Sequence, residues 1–216
     1  MSRGLIPIFY FVTLAAIGWL FLLTVVARIE RLKAIRFLPA VLGPVAILLC
    51  FVPVGGASLW TAAFGLWINP SVPLLGLALS GLGERLFGVA LLGTADRRAT
   101  WIFGAVVGTF LYLHATLPGG VDLYYPGADR RLAVGVLAAA AGAFLLFGHR
   151  TGILLLAALI AFALGALESP NLWDYVVDPF LWLIGLGVVL KDGIGSWRTA
   201  RAARVLAARV AHRPPT

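Results

Sequence analysis

The amino-acid sequence predicts an all-α protein: a polytopic helical membrane bundle of about seven transmembrane helices, with the N-terminus outside and the C-terminus cytoplasmic. Three observations carry that expectation. Of the 216 residues, 61% are hydrophobic and 12% are charged, and the mean hydropathy is +0.99, far from the roughly 25% charged residues of soluble domains. The apolar residues fall into stretches of about 20, the length a helix needs to cross a hydrocarbon core of about 30 Å. Short arginine-bearing connectors separate these stretches, and their basic residues gather on one side. Strand-length alternation of the outer-membrane barrel type is missing, which leaves helices as the way to satisfy the backbone in lipid.

The first span, Leu5 to Ala27, is too long for a signal-peptide core and lacks a small-x-small cleavage site, so it reads as a retained anchor. The second runs from Phe37 to Val54 and contains Pro39 and Pro44, after which Gly55 and Gly56 turn the chain. From Ala57 to Gly83 there is no charge, but Asn69-Pro70-Ser71-Val72-Pro73 cuts the segment in two. In one reading Ala57 to Leu82 is a broken helix with Asn69 near mid-membrane. In the other, which the capping chemistry favours, residues 57–68 lie at the outer interface and Ser71 to Leu92 makes the crossing. Asn or Ser ahead of a proline is a good helix start. Four plainer spans follow at Thr100 to Leu117, Leu132 to Gly148, Gly152 to Leu167 and roughly Leu172 to Leu190. The fifth and sixth are short and suit a tight hairpin through a thin or deformed bilayer. Residues 1–192 thus form the bundle, and 193–216 a basic cytoplasmic tail.

In a seven-span layout one side holds Arg28, Arg31, Lys33, Arg36, Arg85, Arg97, Arg98, Arg150, Lys191, Arg198, Arg201, Arg204, Arg209 and Arg213, and the other holds Arg3, Arg130 and Arg131. Fourteen against three, out of 17, places the larger group in the cytoplasm, because basic connectors are retained there during insertion. The net charge of +8 therefore reads as topology plus attraction to anionic lipid at the cytoplasmic face, and no nucleic-acid motif accompanies it. In the tail, Arg198, Arg201, Arg204 and Arg209 alternate with alanines, Val205, Leu206 and Val210, which suits an interfacial amphipathic helix in contact with lipid. The single cysteine, Cys50, excludes an intramolecular disulfide. The Arg, Ala and Gly bias, without sorting signals, points to a bacterial inner membrane.

Five of the nine acids fall on the outer side: Asp122, Asp129, Glu168, Asp174 and Asp178. Tyr124, Tyr125, Trp173 and Tyr175 accompany them, and together with Asn171 they make the best candidate ligand-binding region. If Asn171 to Asp178 is helical, Asn171, Asp174 and Asp178 share one face that Trp182 continues. Carboxylates so placed can act as acid and base or hold a hard cation. The plainer reading makes Asp178 a cap ahead of Pro179, Trp173 and Tyr175 part of the aromatic belt, and Asp122 and Asp129 solvated acids of a turn, paired with Arg130 and Arg131.

Charge near a helix centre costs about 2.5 to 3.5 kcal/mol on insertion scales, so Glu84, Arg85 and Asn69 form a candidate polar pathway. If the third span ends at Leu82, Glu84 and Arg85 are loop residues instead, and Asn69 needs no role beyond a cap. His114, near the outer end of the fourth span, can join Asp178 in a proton relay or serve the aromatic belt. No metal or cofactor is expected. His114 and His149 are assigned to opposite leaflets, against a bis-histidine haem; no zinc-type ligand cluster is present; and Lys191 lies at the cytoplasmic end of the last span, away from a retinal Schiff base. Gly104 and Gly108 form a GxxxG, and Gly135, Ala138 to Ala141 and Gly142 give another smooth helix.

With no phosphate loop, nucleophile elbow or histidine cluster, the leading expectation is a non-enzymatic inner-membrane protein. It would act as an accessory or transport-supporting component of an envelope-biosynthesis or energy-converting complex, alongside other membrane subunits. Two alternatives stand beside it. One is an outer-leaflet enzyme acting on a lipid-linked or head-group substrate through Asp174, Asp178 or Glu168. The other is a small-solute or proton-coupled transporter using Asn69, Glu84, His114 and Asp178.

Overall fold

The computed structural model describes residues 5–29, 37–66, 69–114, 124 and 130–211. Among them the chain is mostly helical, with nine helices and one two-stranded hairpin. The elements are α1 (Leu5–Val26), α2 (Leu38–Cys50), β1 (Pro53–Val54), β2 (Ala57–Ser58), α3 (Leu59–Leu66), α4 (Val72–Phe87), α5 (Thr94–His114), α6 (Arg130–Leu146), α7 (Thr151–Leu164), α8 (Trp173–Val176) and α9 (Pro179–Ala211). Among the described residues two helical stretches are long and apolar enough to cross a membrane, Leu5–Val26 and Pro179–Arg201. Leu38–Cys50, Arg131–Leu146 and Thr151–Leu164 are apolar but shorter.

Helices begin and end where local chemistry dictates. Gly55 and Gly56 hold φ of +59° and +89°, the pair of positive values a tight two-residue hairpin turn needs. This pairs Pro53 with Ser58 and Val54 with Ala57. The α4 helix starts after Ser71, with Pro73 in its first turn. It stops at Gly88, whose φ of +69° closes a C-terminal cap: Gly88 N donates to Glu84 O and Val89 N to Gly83 O. The crossing expected from Ser71 to Leu92 is thus a helix of 16 residues, about 24 Å long at 1.5 Å per residue. Leu92 turns back instead, and its amide donates to Ser80 Oγ at 2.9 Å.

Small residues set the helix crossings. The most intimate pair is α5 with α9: Gly104 lies against Leu181, Gly108 against the Trp182 ring, and Gly185 against the Trp101 carbonyl and Ala105. The GxxxG of α5 is therefore used within the chain. Trp182 Nε1 locks the same seam by donating to Thr109 Oγ1 at 3.0 Å. In the α1–α2 pair, the Trp19 ring covers Gly43 and its Nε1 donates to Pro39 O at 3.1 Å. Pro44 sits inside α2 beside this contact. Gly76 of α4 meets Leu154 of α7, and Gly152 of α7 meets the Ala141 carbonyl of α6. Gly135 and Gly142 of α6 face open space.

The main core gathers Leu137 and Ala141 of α6, Leu155 and Ala158 of α7, and Leu181 of α9 around Leu172, Tyr175 and Val176 of the α8 segment. A second core joins Ala16 and Leu23 of α1, Leu42 of α2, and Ala78 and Leu82 of α4. Outside these cores large apolar side chains are exposed along α1, α2, α5, α6, α7 and α9, among them Phe21, Leu48, Phe110, Val136, Ile160 and Leu183. The final helix is continuous through Asp192 and Gly193, so the last apolar stretch and the arginine-rich tail are one rod of 33 residues, about 50 Å long.

Candidate functional site

The α4, α5 and α9 helices bring polar residues together at two opposite ends of the structure. At one end, Asp178 precedes α9 and is only 1% exposed. Its Oδ1 accepts the amides of Phe180 at 2.8 Å and Leu181 at 3.0 Å, capping the helix. Its Oδ2 accepts the amide of Ser71 at 2.8 Å and the Ser71 hydroxyl at 2.5 Å. Ser71 therefore starts α4 without capping it and gives its side chain to α9 instead. Four donors offset the desolvation of a carboxylate taken out of water. The outcome is a clamp between the starts of two helices 107 residues apart in sequence.

Around this clamp the segment before α9 is a stack of turns. The α8 helix is a single turn, and Val177 is extended at φ −139°, ψ 128°, so no continuous helix puts Asn171, Asp174 and Asp178 on one face. Asn171 organises the turn: its Oδ1 accepts the Trp173 amide at 3.0 Å and its Nδ2 donates to Tyr124 O at 3.1 Å. The Tyr124 hydroxyl donates to Asp174 Oδ1 at 2.5 Å. Burial, reinforced by the Asp174 carboxylate, pushes the Tyr124 phenol above its usual range. Tyr175 is buried, and its hydroxyl joins the amide and carbonyl of Leu167. Tyr112 of α5 donates to Val177 O at 3.2 Å. Glu168 is exposed at the rim. Among the described residues the Trp173 indole nitrogen and Asn69 Oδ1 are buried with no hydrogen-bond partner. Asp122 lies outside the described residues, as do the side chains of His114 and Arg209.

The opposite end is organised by Asp96, a residue that no sequence pattern singled out. It is 8% exposed and sits in the first turn of α5. Its Oδ2 accepts the Gly93 amide at 3.1 Å, the return bond of a capping box. Its Oδ1 accepts the Arg150 amide at 2.9 Å and lies 3.4 Å from His149 Nδ1. The Asp96 carbonyl accepts the hydroxyls of Thr100 at 2.9 Å and Thr151 at 3.1 Å, and the two threonine oxygens are 3.0 Å apart. One aspartate thus ties the start of α5 to the turn between α6 and α7. The signal available in the sequence was Gly-Thr-Ala-Asp before an apolar run. Thr151→Val, which keeps shape but removes the hydroxyl, is expected to cost about 1 kcal/mol, read as a lowered unfolding midpoint in detergent.

Nearby, Glu84 and Arg85 are exposed on the last turn of α4, and Glu84 pairs with Arg97 at 2.5 Å. Arg98 pairs with Asp192 of α9 at 3.0 Å. On the tail, Arg198, Arg201 and Arg204 are exposed, and the Arg201 guanidinium lies 5.4 Å from the centre of the Trp197 ring. Asn69 is near the Asp178 end and the Glu84–Arg85 pair near the Asp96 end, with the length of α4 between them. Among the described residues no group of three or more His, Cys, Asp or Glu side chains is arranged to hold a metal ion. Comparison with known protein families, with curated proteins and with solved structures finds no match, so the reading of both ends rests on their own geometry.

Proposed function

We propose that the chain is a multi-pass protein of a bacterial inner membrane, threaded seven times with its N-terminus outside and its tail in the cytoplasm. In this reading it serves as a non-enzymatic accessory or transport-supporting component of a larger membrane assembly. The observation that carries the proposal is how the buried acids are employed. Asp178 and Asp96 use both carboxylate oxygens on backbone amides and neighbouring side chains, and Asp174 accepts from Tyr124. Carboxylates so engaged hold helices together. The exposed large apolar side chains on six helices support a lipid surround, since soluble monomers rarely expose large contiguous apolar patches. The short α4, α6 and α7 fit a locally thinned bilayer. In this topology Asp178, Tyr124 and Glu168 face outward, and the basic rod of α9 meets anionic lipid on the inner face.

Purification of tagged protein from membranes in a mild detergent tests the functional part. The proposal expects stoichiometric membrane partners to co-elute, and a lone monomer that turns over a substrate contradicts it. One observation favours a second reading, an outer-leaflet enzyme or head-group binder: the buried Trp173 indole nitrogen has no acceptor among the described residues and lies in the same segment as the exposed Glu168. That reading expects Glu168→Gln to abolish head-group turnover while leaving stability unchanged, whereas the accessory reading expects no turnover to lose.

A further inference from the structure

Between α4 and α7 an apolar groove of about 480 Å³ opens on the surface, walled by Leu75, Gly76, Leu79, Ile153, Leu154 and Ala157. Gly76 brings the two helices together against Leu154. Leu91, Leu92 and Arg150 also line it. Leu79, Leu91 and Ile153 are all exposed along it, so the groove is open sideways, on the face that the seven-span reading gives to lipid. A pocket of this size and lining suits a hydrocarbon chain.

The polar terminus of the groove is one guanidinium held in place. Arg150 Nη1 donates to Leu91 O at 3.0 Å, and the Arg150 amide is fixed by Asp96. No carboxylate lies within ion-pair distance of the Arg150 guanidinium among the described residues. Glu84 is taken by Arg97 and Asp192 by Arg98, while Asp96 faces the Arg150 backbone and His149. A guanidinium carries five N–H donors in a fork that matches phosphate, and among the described residues one of them is engaged, by Leu91 O. A guanidinium tethered to Leu91 O, with no described carboxylate in ion-pair reach, at the edge of a chain-sized apolar groove is an arrangement that can capture an amphiphile with a negative head.

We propose that the α4–α7 groove is a binding site for an anionic phospholipid of the cytoplasmic leaflet, one acyl chain lying between α4 and α7 and the phosphate on Arg150. This rests on the membrane reading above and gives it a specific lipid site, separate from the diffuse attraction of the α9 tail. Charge complementarity selects the occupant: the groove ends among the basic residues assigned to the cytoplasmic face, where anionic head groups concentrate.

The test uses full-length protein in mild detergent, titrated with phosphatidylglycerol or with phosphatidylcholine of the same acyl chains, with bound lipid counted by native mass spectrometry. Arg150→Gln is expected to lower phosphatidylglycerol retention about fivefold, the effect of one basic residue near a lipid surface, and to leave phosphatidylcholine unchanged. Ile153→Trp, which fills the groove, lowers retention of both lipids. Arg98→Gln, at a cation already paired with Asp192, retains the preference. Equal retention of the two lipids by the unsubstituted protein, or an Arg150→Gln variant that keeps its preference, overturns the proposal. So does a dimer that Ile153→Trp dissociates, which assigns the groove to a second copy, or competition by free glycerol 3-phosphate at the lipid's own concentration, which removes the chain from the recognition. Loss of lipid preference in a protein that still fractionates with membranes defeats this site alone, whereas recovery of the chain in the soluble fraction defeats the membrane reading itself.

Discussion

Replacing Asp178 with alanine is expected to lower stability by about 3 kcal/mol, the largest loss for any single polar residue described. The substitution removes the cap of α9, worth about 1 to 2 kcal/mol. It also strands the amide and hydroxyl of Ser71, which are buried and have no other acceptor among the described residues. Each buried donor left unmet costs on the order of 1 to 3 kcal/mol before relaxation. Asp178→Asn keeps one acceptor oxygen and recovers part of the loss, and Ser71→Ala costs less than either because it leaves the cap in place. Unfolding followed by circular dichroism in detergent ranks the three. A variant at Asp178 that unfolds like the parent but loses a catalytic activity would return this carboxylate to the chemistry expected of it in the enzyme reading.

The second large effect is steric. A Cβ at Gly185 would lie 2.6 Å from the Trp101 carbonyl oxygen and 3.1 Å from the Ala105 amide nitrogen. Both are backbone atoms of α5, so no rotamer change relieves them and the helices must move apart. Gly185→Ala is therefore expected to destabilise by about 2 kcal/mol, within the range of overpacked cores. Gly135→Ala reverses the sign. Nothing lies within 4 Å of a Cβ there, so the better helix propensity of alanine raises stability by up to about 1 kcal/mol. The same Gly→Ala change with opposite outcomes on α9 and α6 distinguishes close packing from glycine content as such.

Much of the helical layout was legible because it is set by nearest neighbours. The Gly55-Gly56 turn, the helix start at Ser71 before Pro73, and the breaks around His149-Arg150 are local, and each falls within a few residues of its expected place. Lengths were less legible. Apolar runs such as Ser71 to Leu92 and Gly152 to Leu167 continue past the points where Gly88 and Gly165 close their helices in left-handed conformations. The α9 helix runs unbroken through residue 192, where the sequence passes from apolar stretch to basic tail. The arginines of the tail change the chemistry of the rod without changing its backbone.

The candidate site was legible as composition and opaque as geometry. Acids, tyrosines and Trp173 in one segment announced a polar region, and the structure brings Tyr124, Asn171 and Asp174 into one hydrogen-bonded set. What sequence spacing cannot convey is the partner of a carboxylate when that partner is Ser71 or the Arg150 amide, far along the chain. The helical face proposed for Asn171, Asp174 and Asp178 required a continuous helix. Extended Val177 ends that continuity and turns Asp178 towards α4. Asp96 is illegible in the sequence for a related reason: its value lies in joining two helix starts, and only the fold places them side by side.

In the proposed topology the end bearing Asp178 and the end bearing the basic residues face different compartments across a bilayer. Cys50 is the only cysteine and is buried, so a Cys50→Ala background allows one thiol to be placed at a time, at Glu168→Cys near the Asp178 end and at Arg201→Cys on α9. With a membrane-impermeant maleimide, Glu168→Cys is expected to label in intact cells and Arg201→Cys only after the membrane is opened. Labelling of both positions from the same side would contradict it.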